Sequence, residues 1–260
     1  MSTPLSKIPE KQREIFNVSL KNYNDIFSWA SRVDDFLSPS NAALPCPEPQ
    51  EYAELINQCY RAFAISTTMT MQAQIFFAEA IARIGAESVM QIMVIEANIT
   101  KHLPIWREYN HRKLNDPNIR QKEQNYKKVF RKDRDKHDYS AFTNENDKNT
   151  IFHRWKLFSE GGSHNSFLQT TLSIRFVEEE DKHFMRTGIF DLNQQERHYI
   201  AQNMIVIIDT FLIVAIIIET ILERHGTRLK YTLADLEEAR REWLEFRSRK
   251  VIEFGMTPKQ

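Results

Sequence analysis

Apolar residues recur at helical spacing through Ile15, Val18, Tyr23, Ile26, Phe27, Ala30, Val33 and Phe36, which predicts one helix from about Pro9 to Leu37 with a single apolar side. The stretch Ser38 to Gln50 carries Pro39, Pro45, Pro47 and Pro49, and each proline removes a backbone donor and fixes φ, so it reads as a stiff connector. Residues 1–49 are therefore expected to form an N-terminal helical arm with a Pro-rich connector, and residues 50–260 a helical-bundle domain. From Glu51 to about Leu103 there is no Pro and only Gly85, in a run dense in Ala, Met, Ile and Phe. That pattern predicts one very long helix or two nearly collinear ones, with the Ser66-Thr67-Thr68 cluster as the expected bend.

Beyond Pro104 and Asp116-Pro117 the pattern changes. Asp138 to Thr150 is polar without a period and reads as a loop, followed by a short helix from about Thr150 to Ser159 that ends at Gly161-Gly162. Leu172, Ile174 and Phe176 alternate with Ser173 and Arg175, which predicts a small β-hairpin near residues 171–190, with a continuing helix as the alternative. Asn193 with Glu196 and then Gly226 bracket a helix of about 30 residues. Thr232 caps a last amphipathic helix through Leu233, Leu236, Trp243, Leu244 and Val251. The expected fold is all-α: a bundle of about six or seven helices with that hairpin.

Composition sharpens this. Six Gly and nine Pro in 260 residues leave few tight turns, against an ordinary Gly share of ~7 %, which excludes most all-β folds and a Gly-rich phosphate-binding α/β fold. Lys+Arg and Asp+Glu both number 35, so no global field draws the chain to polyanions or membranes. Cys46 and Cys59 make no metal-binding pair, and the N-terminus lacks the apolar stretch of a signal peptide, so a cytoplasmic location is expected. Met204 to Leu222 is long enough to cross a bilayer. Asp209 and Glu219 within it would each cost roughly 2.5–3.5 kcal/mol there, which favours a central bundle helix over a membrane span.

The candidate chemistry lies in polar interruptions of apolar runs. Arg83 and Glu87, four apart in AEAIARIGAESVMQIMVIEA, fall on one helix face and are expected to pair, with Glu79 nearby. The segment HRWKLFSEGGSHNSF places Ser159 and His164 beside a Gly pair, and His164 can serve as a general acid or base. Arg83, Glu87 and His164, completed by Ser159 and Asp209, form the candidate catalytic pocket. The stretch His111 to His137 holds ten Lys/Arg against four Asp/Glu, with Tyr126 and Phe130 among them, a composition suited to a phosphate backbone with stacking. Arg131, Lys132 and His137 are its candidate nucleic-acid contacts, and RNA the partner they suit. Glu108 with His111 and Glu180 with His183 have dimetal-ligand spacing, yet charged residues flank both, so no metal and no cofactor is expected.

Over about residues 60–225 the arrangement resembles a group of uncharacterised bacterial all-helical proteins, some of which are similar to the HEPN helical-bundle superfamily. The residues that carry it are Arg83-x-x-x-Glu87 in a long apolar helix, then Ser159 and His164 after a short aromatic helix, then an apolar closing helix. The resemblance implies a role in bacterial defence or stress and a metal-independent ribonuclease activity. The superfamily motif, an Arg followed after four to six residues by His, is matched by Arg131 and His137, with Lys132 where the family has a small polar residue. The residues themselves point first to a non-enzymatic helical interaction or assembly module. Its expected partner is a second copy or another helical protein. The alternative is the ribonuclease, with His164 or His137 moving protons and Arg131, Arg154 or Arg83 supplying the cation.

Overall fold

The computed structural model describes residues 7–38, 49–113, 115–162, 174–179, 182–187 and 194–253. Its helices are α1 (Ile8–Asn22), α2 (Asn24–Leu37), α3 (Glu51–Met71), α4 (Ile75–Ala97), α5 (Ile99–Asn110), α6 (Ile119–Lys127), α7 (Glu145–Gly162), α8 (Gln194–Arg224) and α9 (Leu233–Glu253). A π-helical turn (Lys128–Lys132) and a 3₁₀ turn (Arg134–Lys136) follow α6. Two short antiparallel strands, β1 (Ile174–Glu179) and β2 (Lys182–Thr187), set Ile174 opposite Thr187 and Glu179 opposite Lys182.

The all-α class stands, but the helices among the described residues number nine rather than six or seven, because the long runs break where no Pro or Gly announces it. The run ending at Leu37 divides at Tyr23. The long apolar run divides at Gln72–Gln74, where Ala73 takes a left-handed φ of 59°, and again at Asn98. Ser66, Thr67 and Thr68 do not bend the chain. They lie inside α3, with the Thr68 hydroxyl donating back to the Ala64 carbonyl at 2.9 Å. The expected loop before residue 150 is helix from Glu145, because the Asn144 side chain accepts from the Asp147 amide at 2.9 Å and so caps α7 early. Two other cues match the structure: Gly226 has φ 71° just beyond α8, and the Thr232 hydroxyl accepts from the Asp235 amide at the start of α9.

The apolar helix α8 is the axis of the bundle. Residues Tyr199–Arg224 are long and apolar enough to cross a membrane, and 89 % of that apolar window is buried inside the protein, against α2, α3, α4, α7 and α9. The helices expected as an arm lie on this body. Ile26, Val33 and Leu37 of α2 have no exposed surface, Trp29 meets Trp243 of α9 edge-on at 5.5 Å, and Arg32 pairs with Glu242 at 2.5 Å. An amphipathic helix gains its stability by covering its apolar face, and here the chain's own core covers it.

One end of the bundle is tied by a polar cluster. Glu96, at the end of α4, accepts from the Tyr52 hydroxyl (2.8 Å), Arg224 Nε (3.1 Å) and His225 Nε2 (2.8 Å), so a single buried carboxylate joins α3, α4 and the end of α8. Burial beside that carboxylate pushes the Tyr52 phenol far above its ordinary range.

Candidate functional site

Helix α7 lies between α4 and α8, and two adjacent residues of it reach opposite neighbours. Arg154 turns to α8, where its guanidinium is 3.3 Å from Asp209. Asp209 also accepts from Arg247 at 2.9 Å and from the Trp243 indole at 3.3 Å, so this acid, expected in the candidate pocket, neutralises cations from α7 and α9. Trp155 turns to α4, and Arg83 lies 5.6 Å above its ring. Arg134, from the 3₁₀ turn, lies over the same ring at 4.3 Å and over Phe152 at 5.3 Å.

Glu87 pairs with Arg131 of the π-helical turn at 3.9 Å, in place of the expected ion pair with Arg83. The spacing does put Arg83 and Glu87 on one helix face, but that face forms the rim of the bundle, and the Glu87 side chain is 30 % exposed. The buried polar centre expected from this pair is accordingly a half-buried cluster of cations and rings. Glu79, one turn earlier, has its carboxyl pushed up to about 7 by burial. The Ser159 hydroxyl donates to the Trp155 carbonyl at 2.7 Å within α7. His164 lies outside the described residues.

The nucleic-acid candidates are also redistributed. Tyr126 and Phe130 are buried in one stack, Tyr126 lying on Tyr109 at a centroid separation of 3.9 Å and on Phe130 at 4.7 Å, so they offer no face to a base. His137 sits against the ring of His102 at 4.6 Å, and its Nε2 bonds the Val129 carbonyl at 3.1 Å. Burial and the neighbouring His137 hold the His102 imidazole below its ordinary range. Arg131 and His137 therefore engage different neighbours, Glu87 and the π-helical turn. Lys132 is exposed beside them.

What the fold gathers instead is an open cleft of about 300 Å³ between the 3₁₀ turn and α7, lined by Arg134, Asp135, Lys148, Asn149, Phe152, His153 and Lys156. Lys148, Phe152 and Lys156 recur every four residues, which aligns them on one side of α7. The signal was present in the sequence. It becomes readable only when Asn144 is recognised as the cap that starts the helix before residue 150. Comparison of the chain with protein families, curated proteins and solved structures finds no match.

Proposed function

We propose that the chain is a helical assembly module that acts as a homodimer through the exposed side of the α3–α4 pair. The observation that carries this reading is a run of apolar residues on that side: Phe77 (62 % exposed) and Ile84 (48 %) lie seven apart on α4, and Ile65 of α3 is 40 % exposed. Cys59 donates to the Gly85 carbonyl, and Ser88 to Gln58, which fixes an antiparallel register between the two helices. Continued two turns along each helix from Gln58 and Ser88, that register brings Ile65 beside Ile81. Monomeric proteins seldom leave such a run uncovered.

A second copy fits it. Phe77 and Ile84 flank Ala80 and Ile81 on either side, so a copy crossing antiparallel at that point sets each Phe77 on the other's Ile84, the reciprocity a two-fold interface requires. Ala80 at the crossing lets the two backbones approach. Sedimentation velocity over a range of concentrations tests this. A dimer for the wild type and a folded monomer for Phe77→Glu are expected, and a wild type that stays monomeric throughout overturns the reading.

A metal-independent ribonuclease is the second reading, favoured by the position of one imidazole. His153 lines the cleft together with Arg134, Lys148 and Lys156, which sets a proton-transfer group among cations that can stabilise phosphate charge. Single-stranded RNA incubated in EDTA is expected to be cut by the wild type and spared by His153→Ala on this reading. RNA left intact by both removes it.

A further inference from the structure

His102 of α5 and His137, which follows the 3₁₀ turn, lie ring to ring at a centroid separation of 4.6 Å. Each is tied to a backbone carbonyl. His102 Nδ1 donates to Val94 in the last turn of α4 at 2.6 Å, and His137 Nε2 donates to Val129 in the π-helical turn at 3.1 Å. A carbonyl only accepts, so these nitrogens carry the protons of the neutral rings, and His102 Nε2 and His137 Nδ1 are the lone pairs that take the next ones. His102 is 3 % exposed, so a charge there has almost no water to solvate it.

The charged groups around the pair do not offset that cost. Lys101 adds a like charge beside His102. Asp133 acts on His137, but Lys136 already holds it at 2.7 Å, and Asp138 accepts from the Ser140 amide at 2.9 Å. On α4, Glu96 is engaged by Tyr52, Arg224 and His225. Tyr139 meets His137 edge-on at 6.2 Å, and burial holds its phenol above the ordinary range, so it stays neutral. Two imidazolium rings would thus repel each other with none of these carboxylates free to neutralise them. We propose that His102 and His137 form an acid-sensitive latch, which holds residues 128–139 against α4 and α5 while both rings are neutral and releases them when both are charged. Release frees Arg131 from Glu87 and lifts Arg134 from the Trp155 ring. The latch rests on neither the dimer nor the ribonuclease.

The direction follows from His102, whose imidazole burial holds below its ordinary range, with His137 and Lys101 adding to this and the Val94 bond opposing it. Once the segment has left, the ring titrates near its ordinary value of about 6.5, so below that pH release takes up a proton that closure refuses. Closure therefore weakens as pH falls, by up to about tenfold per pH unit for each such ring. Hydrogen exchange of the full chain at pH 7.5 and 5.0, corrected for the intrinsic amide rates, tests this. Protection of residues 128–139 is expected to fall roughly tenfold or more at pH 5.0. Helix α8, which carries Glu219 with its carboxyl raised to about 7, should keep its protection or gain some. His137→Gln retains a donor for the Val129 carbonyl and takes no proton, so its acid loss should be smaller by roughly threefold or more. Equal protection of the segment at both pH values overturns the latch. So does an acid loss shared by α8, or one that persists undiminished in His137→Gln.

Discussion

Gly85 of α4 faces the ring of Phe211 of α8 so closely that a Cβ placed on the glycine would lie 2.5 Å from the Phe211 ring tip and 3.0 Å from the Ala62 Cβ. The ring cannot swing aside freely, because Phe211 is fully buried and packs on Phe63 at a centroid distance of 5.2 Å. The absence of a side chain at this one point lets three helices meet, and it explains the single Gly in the long apolar run. Gly85→Ala is therefore expected to destabilise the protein by about 1–3 kcal/mol, despite the better helix propensity of Ala. Denaturant midpoints check this, and Phe211→Leu in the same background should recover part of the loss. Unaltered stability in Gly85→Ala would show that the contact yields easily.

The Glu96 cluster makes a second prediction, in which the three donors are unequal. Arg224 and His225 reach solvent in part and can rehydrate, whereas Tyr52 is fully buried. Removing the carboxylate strands the phenol. Glu96→Ala is expected to cost about 1–3 kcal/mol, mostly for that unsatisfied hydroxyl. The Glu96→Ala, Tyr52→Phe double variant should cost less than the sum of the two single variants. A double-mutant cycle without coupling would refute the assignment.

The apolar pattern along the chain made the helices legible and left their boundaries partly hidden. α8 and α9 were plain, because apolar periodicity, Gly226 and Thr232 mark them with independent signals. The breaks at Tyr23, Ala73 and Asn98 are not legible in the pattern, since the left-handed Ala73 closes α3 through local hydrogen bonds, Gln74 N–H to the Met69 carbonyl at 2.8 Å and Ala73 N–H to the Thr70 carbonyl at 2.9 Å, at a position where Gly is the usual signal and Ala gives none. Asp209 stands out in the sequence as a polar interruption, yet its partners Arg154, Arg247 and Trp243 lie 34 to 55 residues away in sequence. Spacing along one helix cannot supply them. The same limit applies to Arg83 and Glu87: the period says which residues share a face, and only the packing of α7 and the π-helical turn says that this face is the rim.

Cys59 gives a chemical test of the core. Its side chain is fully buried, donates to the Gly85 carbonyl at 3.4 Å, and has its thiol pushed up to about 12 by desolvation. In a Cys46→Ser background, where Cys59 is the only thiol, iodoacetamide is expected to leave the native protein unmodified at pH 8 and to alkylate it fully in denaturant. Rapid modification of the native state would show that the α3–α4 seam opens readily.

The last prediction concerns pH and follows from Glu219, which has no exposed surface. One of its oxygens accepts from the Leu229 amide at 2.5 Å, holding the chain as it leaves α8, and the other is buried without a partner. Burial outweighs that hydrogen bond and raises the carboxyl from 4.5 to about 7, with Glu223 adding to the rise and Arg228 opposing it. Between these two values the folded chain keeps a proton that the unfolded chain has released, so stability falls as pH climbs through the window and levels off above it. The full loss is on the order of 3 kcal/mol, and Glu79, whose carboxyl burial also raises to about 7, adds to it in the same window. Glu219→Gln keeps an acceptor for Leu229 and cannot ionise. Its stability at pH 8 should therefore exceed that of the wild type, and the difference should vanish near pH 4. Thermal midpoints measured at intervals from pH 4 to 8 check both, and a wild-type midpoint that rises across the window would reverse the assigned direction.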